Sequence, residues 1–374
     1  PYRSKIAGIQ EYSSFPQAEN SLGADAIDLP IRDNFARHTL VGLNVFFIEM
    51  AQQFPDVLGI RTQDPMLVSK GLDPLLFTEQ AMVDQAQDDT AKVAIADLRR
   101  QGTTLEASVA VESLVGHKFP SGVGFRRAFL EVSVLDAAGE VLWASGRTDA
   151  TGTLVDEAGA PLDGERWWTD DCAQRLPNAY QPHRTTITAQ NQVQIYQELV
   201  AAPPDASADA SSPDSTCGGH TPTPAGQLTT SFLSICTHVK DNRLLPHGFL
   251  PLEERIKIAQ ALGAQDDLAK DSGSYLGGVD DPDFGPGGDT TRYVIDLGAS
   301  IERAASVEAT LYYQAIPPSY LQDRFCTSTS DDTQRLYFLA GHLNLDGTPA
   351  ESWKLEITGA RATVPAGAPR QTAR

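Results

Sequence analysis

The chain has 374 residues, of which 41% are hydrophobic and 21% charged, enough apolar material for a globular core and too much for bulk disorder. Its 29 basic and 49 acidic residues give a formal net charge of -20. Coulomb repulsion therefore disfavours nucleic acid and anionic membrane surfaces as partners, and favours a cationic partner, a divalent cation or simple solubility. No apolar run approaches the ~20 residues that span a bilayer, and the start at Pro1 without an initiator Met reads as a processed or truncated product.

Residues 1–102 read as irregular segments and helices. Leu40, Leu43, Phe47, Met50 and Phe54 recur at spacings of three and four, which predicts a helix burying that face. A second helix is expected over residues 79–100, with Met82, Ala86, Val93 and Ala96 buried and Gly102 closing it. After Gly102 the period becomes two: Leu105, Ala107, Val109 and Val111 alternate with mostly polar neighbours, and Leu130, Val132 and Val134 repeat the pattern. Ala137, Ala138 and Gly139 then turn the chain into Val141, Leu142 and Trp143, a hairpin signal. Further strands are expected at residues 193–199, 292–297, 307–313, 336–339 and 353–357. The fold class predicted is α+β, mainly β: an antiparallel β-sandwich over residues 103–365, preceded by the helical region 1–102 and followed by a tail at 366–374.

Two inserts interrupt the sandwich. Residues 201–227 are rich in Pro, Ala, Ser, Asp and Thr, and lack the large apolar side chains that would offset the entropy of ordering, which predicts an exposed loop. Residues 271–289 combine glycines with acidic residues. Asp280, Asp281, Asp283 and Asp289 there are candidate oxygen donors for calcium, against the alternative of a solvated acidic turn; the spacing is not that of an EF-hand. Cys172, Cys217, Cys236 and Cys326 are far apart and form no Cys-x-x-Cys pair. In a periplasmic or extracellular protein they are expected as disulfides in any of three pairings, and in an intracellular one as buried thiols.

Several stretches carry a family resemblance. Gly116-His117-Lys118-Phe119-Pro120-Ser121-Gly122, followed by Arg126-Arg127, resembles the opening of the C-terminal β-domain of multihaem c-type cytochromes. Arg37-His38 through Gly42-Leu43-Asn44, Lys240-Asp241-Asn242-Arg243-Leu244-Leu245-Pro246-His247-Gly248-Phe249, Asp283-Phe284 through Gly288-Asp289 to Tyr293, and Leu311-Tyr312-Tyr313-Gln314 with Pro317 are similar to further segments of that family, in its order. The chain departs at the front, where Gln10 to Pro16 stands in place of the family's haem-attaching Cys-x-x-Cys-His. No such motif occurs anywhere, so no covalent haem is expected on this chain.

The resemblance implies His38 and His117 as candidate axial ligands, here to the haem of a neighbouring chain, with packing residues as the plainer alternative. It also implies a haem-free structural or partner-binding protein, located in the periplasm or outside the cell, whose partner is another protein chain such as a multihaem cytochrome. The alternative is a subunit of an electron-transfer complex whose haems sit on another polypeptide. A metal-dependent enzyme is a third reading, which no motif supports: Gly-x-Ser-x-Gly, a phosphate-binding loop and His-Glu-x-x-His are all absent. Arg126, Arg127 and Lys240 to Arg243 are expected as ion-pairing and turn-locking residues.

Overall fold

The computed structural model describes residues 41–61, 71, 73–122, 124–165, 179–204, 225–261 and 284–366. It also gives the backbone of two small strand pairs, Arg3–Ser4 with Phe35–Ala36 and Tyr275–Leu276 with Val279–Asp280. The chain divides into two units, Pro1–Gly42 and Leu43–Arg374. The first contributes the Arg3–Ser4 and Phe35–Ala36 pair and its last residues, Val41 and Gly42, to the description; everything below concerns the second.

Helix α1 (Val45–Gln53) is capped by Asn44, whose side chain accepts from the Phe47 N–H at 3.2 Å. Its buried face carries Val45, Phe46, Met50 and Ala51, while Phe47 is 46% exposed. The face expected from the three-four spacing is thus rotated by one residue. The cause is tertiary: Phe46 packs on Trp353 at 4.4 Å between ring centroids, and Val45 and Phe46 with Tyr313 and Ile316 surround a small apolar hollow.

Helix α2 (Pro74–Asp89) starts on Asp73, which accepts from the Leu75 and Leu76 N–H groups, and buries Met82 and Ala86 as the spacing predicts. It stops eleven residues before the expected end at Arg100. Residues Ala91–Gln101 form strand β1, in which Val93 and Ile95 are half-buried and Ala96 is exposed. Alternation of these β-branched residues, and pairing with the next strand, override a helical reading that rested on Val93 and Ala96. Gly102, at φ +60°, is the turn residue of that hairpin and not a helix cap.

Two mostly antiparallel sheets form the body, which makes the fold a mainly-β α+β sandwich. In the smaller sheet β1 lies beside β2 (Thr104–Ser113), β2 beside β9 (Gly288–Asp296), and β9 beside the short parallel β5 (Thr186–Ile187). The larger sheet runs β8 (Thr237–Asp241), β6 (Ile195–Ala201), β3 (Arg127–Asp136), β10 (Ala304–Gln314) and β11 (Leu355–Thr363). Strand β4 (Val141–Ser145) pairs with β3, and β7 (Leu228–Thr229) with β6. Leu105, Ala107, Val109 and Val111 of β2 and Leu130, Val132 and Val134 of β3 are buried in the predicted alternation. The sheets meet through Trp143 and Tyr293, in an edge-to-face contact at 6.3 Å. On the other face of the larger sheet, Phe129 packs with Leu154, Leu162, Val193 and Ile195.

Three boundaries differ from expectation. The sheets begin at Ala91 instead of residue 103, and α1 and α2 share one unit with them instead of forming a region of their own. Residues 336–339, expected as a strand, lie in helix α5 (Asp331–His342), capped by Ser330 and preceded by α4 (Pro318–Thr327). A run of four apolar or aromatic residues has no period of its own, and the cap with Asp331 and Asp332 in the first turn decides it. Helix α3 (Leu252–Ala261) follows the Lys240 segment. No described helix is long and apolar enough to cross a membrane. Of the two inserts, residues 205–224, 271–274, 277–278 and 281–283, like the tail from 367, lie outside the described residues.

Cys236 and Cys326 are both disulfide-bonded, and there is no free cysteine among the described residues. Alkylation of the native protein without reduction is expected to leave both unlabelled, as read by peptide mass spectrometry. Full labelling of either would show it to be a thiol in solution.

Candidate functional site

The segments that carry the family resemblance are far apart in sequence and adjacent in space. Phe119 and Leu244 exchange backbone hydrogen bonds at 2.9 and 2.7 Å, and Lys118 Nζ donates to Asp241 Oδ2 at 2.7 Å. Gly287 N donates to Leu245 O at 3.1 Å, which joins the segment before β9 to the same place. Phe119 also faces Tyr313 at 5.8 Å. Burial pushes the Tyr313 phenol up to about 12, against the lowering effect of Arg126.

Around this junction the charged side chains are tied to one another. Arg243 bonds Asp241 through Nε and Nη2, both at 2.8 Å, and reaches Glu198 at 3.1 Å. Burial alone would raise the Asp241 carboxyl; the hydrogen bond and charge of Arg243, with Lys118, hold it below the ordinary carboxylate range. Glu198 also accepts from His238 at 3.1 Å, and that bond raises the His238 pKa.

Asn242 is fully buried: its Oδ1 accepts from Gln197 N at 3.1 Å and its Nδ2 donates to Ile195 O at 2.8 Å, pinning the loop to β6. Lys240, 1% exposed, donates to Gln181 O at 2.9 Å and Ile195 O at 2.8 Å. Burial, with the neighbouring charges of Arg184 and Arg127, lowers its pKa to about 7. Arg127 is likewise buried, bonded to Glu165 at 2.9 Å and Gln314 at 2.6 Å, while Arg126 donates to Ser121 O at 3.2 Å. A cleft lined in part by Gly124, Phe125, Arg127, Tyr180 and Gln197 opens beside these groups.

A second polar centre lies between the sheets. Asp289 of β9 accepts at Oδ2 from Tyr196 OH at 2.9 Å, Gln194 Nε2 at 2.8 Å and His183 Nε2 at 3.1 Å. The side chains of His183 and Asp289 are 4% and 3% exposed. Burial would raise the Asp289 carboxyl, but the bonds from His183, Tyr196 and Gln194 hold it low; burial and the Asp289 charge push the Tyr196 phenol well up. This clasp was missed in the sequence. The one signal for it is register: Asp289 pairs across the ladder with Val111, an inward position where an acid must find buried partners.

The four acidic positions singled out for calcium do not come together as a described site. Asp281 and Asp283 lie outside the described residues, and Asp280 is described only as backbone in a two-residue strand. Asp289, the fourth, engages the clasp through Oδ2. Among the described residues no group of three His, Cys, Asp or Glu side chains is arranged to hold a metal.

His38 lies outside the described residues. His117 is exposed, with Nδ1 3.0 Å from the Lys118 carbonyl. With Nδ1 directed at that carbonyl, Nε2 is the ring nitrogen left for another ligand. His247 meets Glu112 at 3.1 Å and His342 meets the Phe338 carbonyl at 2.7 Å.

No family model matches the chain, and no curated protein sequence matches it. Among solved structures it is similar to the crystal structure of a penta-heme cytochrome c552 from Thermochromatium tepidum, at 14% identity and a TM-score of 0.30, over 76% of this chain and 41% of that one. The chain therefore spans less than half the length of that cytochrome.

Proposed function

We propose that this chain is a partner-binding β-sandwich protein of an oxidising, extracytoplasmic compartment, related to multihaem c-type cytochromes and carrying no covalent haem of its own. The observation that supports binding over catalysis is the contrast between its polar and apolar features. Asp241 and Glu198 are consumed by bonds to Arg243, and Asp289 by bonds to Tyr196, Gln194 and His183, whereas Phe47 and Ile60 stand 46% and 37% exposed around an apolar groove that continues over Leu336. Exposed apolar grooves of this kind are used for docking. The bonded state of Cys236 and Cys326 supports the compartment.

A cytochrome-like partner is favoured by the family-like segments and by His117, which presents an exposed imidazole whose Nε2 is left for a ligand. The second reading, an electron-transfer subunit with His117 as haem ligand in trans, rests on that geometry. The test is native isolation of the full chain, with an absorption spectrum of the isolated complex. The chain is expected to co-migrate with another polypeptide, and the Phe47→Glu/Ile60→Glu variant to migrate alone. Equal migration of both would remove the groove from the proposal. A Soret band that weakens in His117→Ala while co-migration persists would favour the second reading. Haem staining at this chain's own mass after denaturation would contradict both.

A further inference from the structure

Many cations among the described residues have a carboxylate. Arg99 and Arg292 share Glu106, Arg127 has Glu165, Arg243 has Asp241 and Glu198, and Arg303 has Asp136. Arg184 departs from this. Its guanidinium makes one hydrogen bond, Nη2 to Gln181 Oε1 at 3.0 Å, and its Nε is buried without an acceptor. Burial depresses its pKa, and no neighbouring carboxylate offsets that. Lys240 contacts the same glutamine from the other side of the residue: Gln181 O takes the ammonium while Gln181 Oε1 takes the guanidinium. Lys240 donates to two carbonyls, which accept from it without neutralising its charge.

The Lys240 ammonium answers this crowding by giving up its proton more readily, but a guanidinium stays charged, and a partly buried charge without a counter-ion is a strain that proteins ordinarily relieve with an anion. The solvent-reachable side chain of Arg184 still has unused donors, and guanidinium donors match the geometry of an oxyanion. The backbone there is held in place: Arg184 N donates to Gln194 Oε1 at 2.9 Å, and the Gln194 amide is fixed in turn by Asp289. We propose that Arg184, whose guanidinium is oriented by Gln181 Oε1, forms a binding site for a small oxyanion: a free carboxylate, sulfate or phosphate. The site is separate from the α1 groove and independent of any partner that docks there.

The experiment is thermal unfolding of the full chain in increasing sodium sulfate, inorganic phosphate or sodium acetate, each against sodium chloride at matched ionic strength. An anion that binds only the folded state raises Tm with a saturable, logarithmic dependence, whereas sulfate exclusion from the surface acts on every variant alike without saturation. At least one of the three anions is expected to raise the Tm of the wild type by several degrees, and the Arg184→Gln variant to lose that rise. Arg184→Lys, which keeps the charge without the planar fork, is expected to retain less than half of it and guards against a folding failure of the glutamine variant. Lys92→Gln, at an exposed strand position, is the control and should respond as the wild type. Which anion acts identifies the source of the oxyanion. Equal responses in wild type and the Arg184 variants, or no response to any of the three in the wild type, overturn the proposal.

Discussion

Replacing Asp289 by Ala is expected to destabilise the protein by ~3–5 kcal/mol, because it removes one partner of a buried, charge-assisted network. Tyr196 OH and Gln194 Nε2 lose their acceptor at 2.9 and 2.8 Å, and His183 loses its 3.1 Å contact. The two strands involved, β6 and β9, belong to different sheets, so the loss is felt where the layers join. Asn at the same position keeps an oxygen acceptor for Tyr196 and Gln194 and is expected to cost less.

The pH dependence has a definite sign. The folded pKa of Asp289 is depressed, so its contribution is fully present above the unfolded value of ~3.9 and is lost as pH falls through the folded value. The stability difference between wild type and Asp289→Asn should therefore be flat at neutral pH and narrow only below about pH 4. Urea unfolding at a series of pH values measures it. A gap that stays constant into strong acid would show that the carboxylate is not held in its ionised form by these donors.

Such a clasp marks the limit of what was legible in this sequence. The strands of the core were readable because a sheet with one buried face writes a period of two into the chain, as Leu105, Ala107, Val109 and Val111 do. Lys240 and Asn242 were readable as turn-locking residues by their type, although their roles in holding β6 came only with the fold. His183, Gln194, Tyr196 and Asp289 span more than a hundred residues and share no spacing, so nothing local brings them together. The same holds for the convergence of Phe119, Leu244 and Leu245, whose order in the chain resembles a cytochrome segment by segment but whose adjacency is a tertiary fact. The phase of α1 and the strand expected at residues 336–339 failed for a simpler reason. Where apolar residues are consecutive, as in Val45, Phe46, Phe47 and Ile48 or in Leu336 to Leu339, several faces satisfy the pattern equally and packing partners choose between them.

The α1 phase supplies the second large effect, as a contrast between neighbours. Phe46 is 6% exposed and lies on Trp353 at 4.4 Å, in contact with the layer that includes Val45, Tyr313 and Ile316. Phe46→Ala is expected to cost ~3–5 kcal/mol, from lost transfer energy and the cavity left against a surface that the larger sheet holds in place. Trp353 cannot readily follow the smaller side chain inward, since its own backbone is held at φ +57° next to Ser352 at +54°. Phe47→Ala, one residue on, removes a side chain that is 46% exposed and should cost less than ~1 kcal/mol. Urea titrations of the two variants at equal m-value separate them. The reverse order, with Phe47→Ala the costlier change, would restore the helix face that the Leu43, Phe47, Met50 spacing suggests. It would also remove Phe47 from the docking groove, because a side chain that stabilises the isolated chain by several kcal/mol is already buried and offers little to a partner.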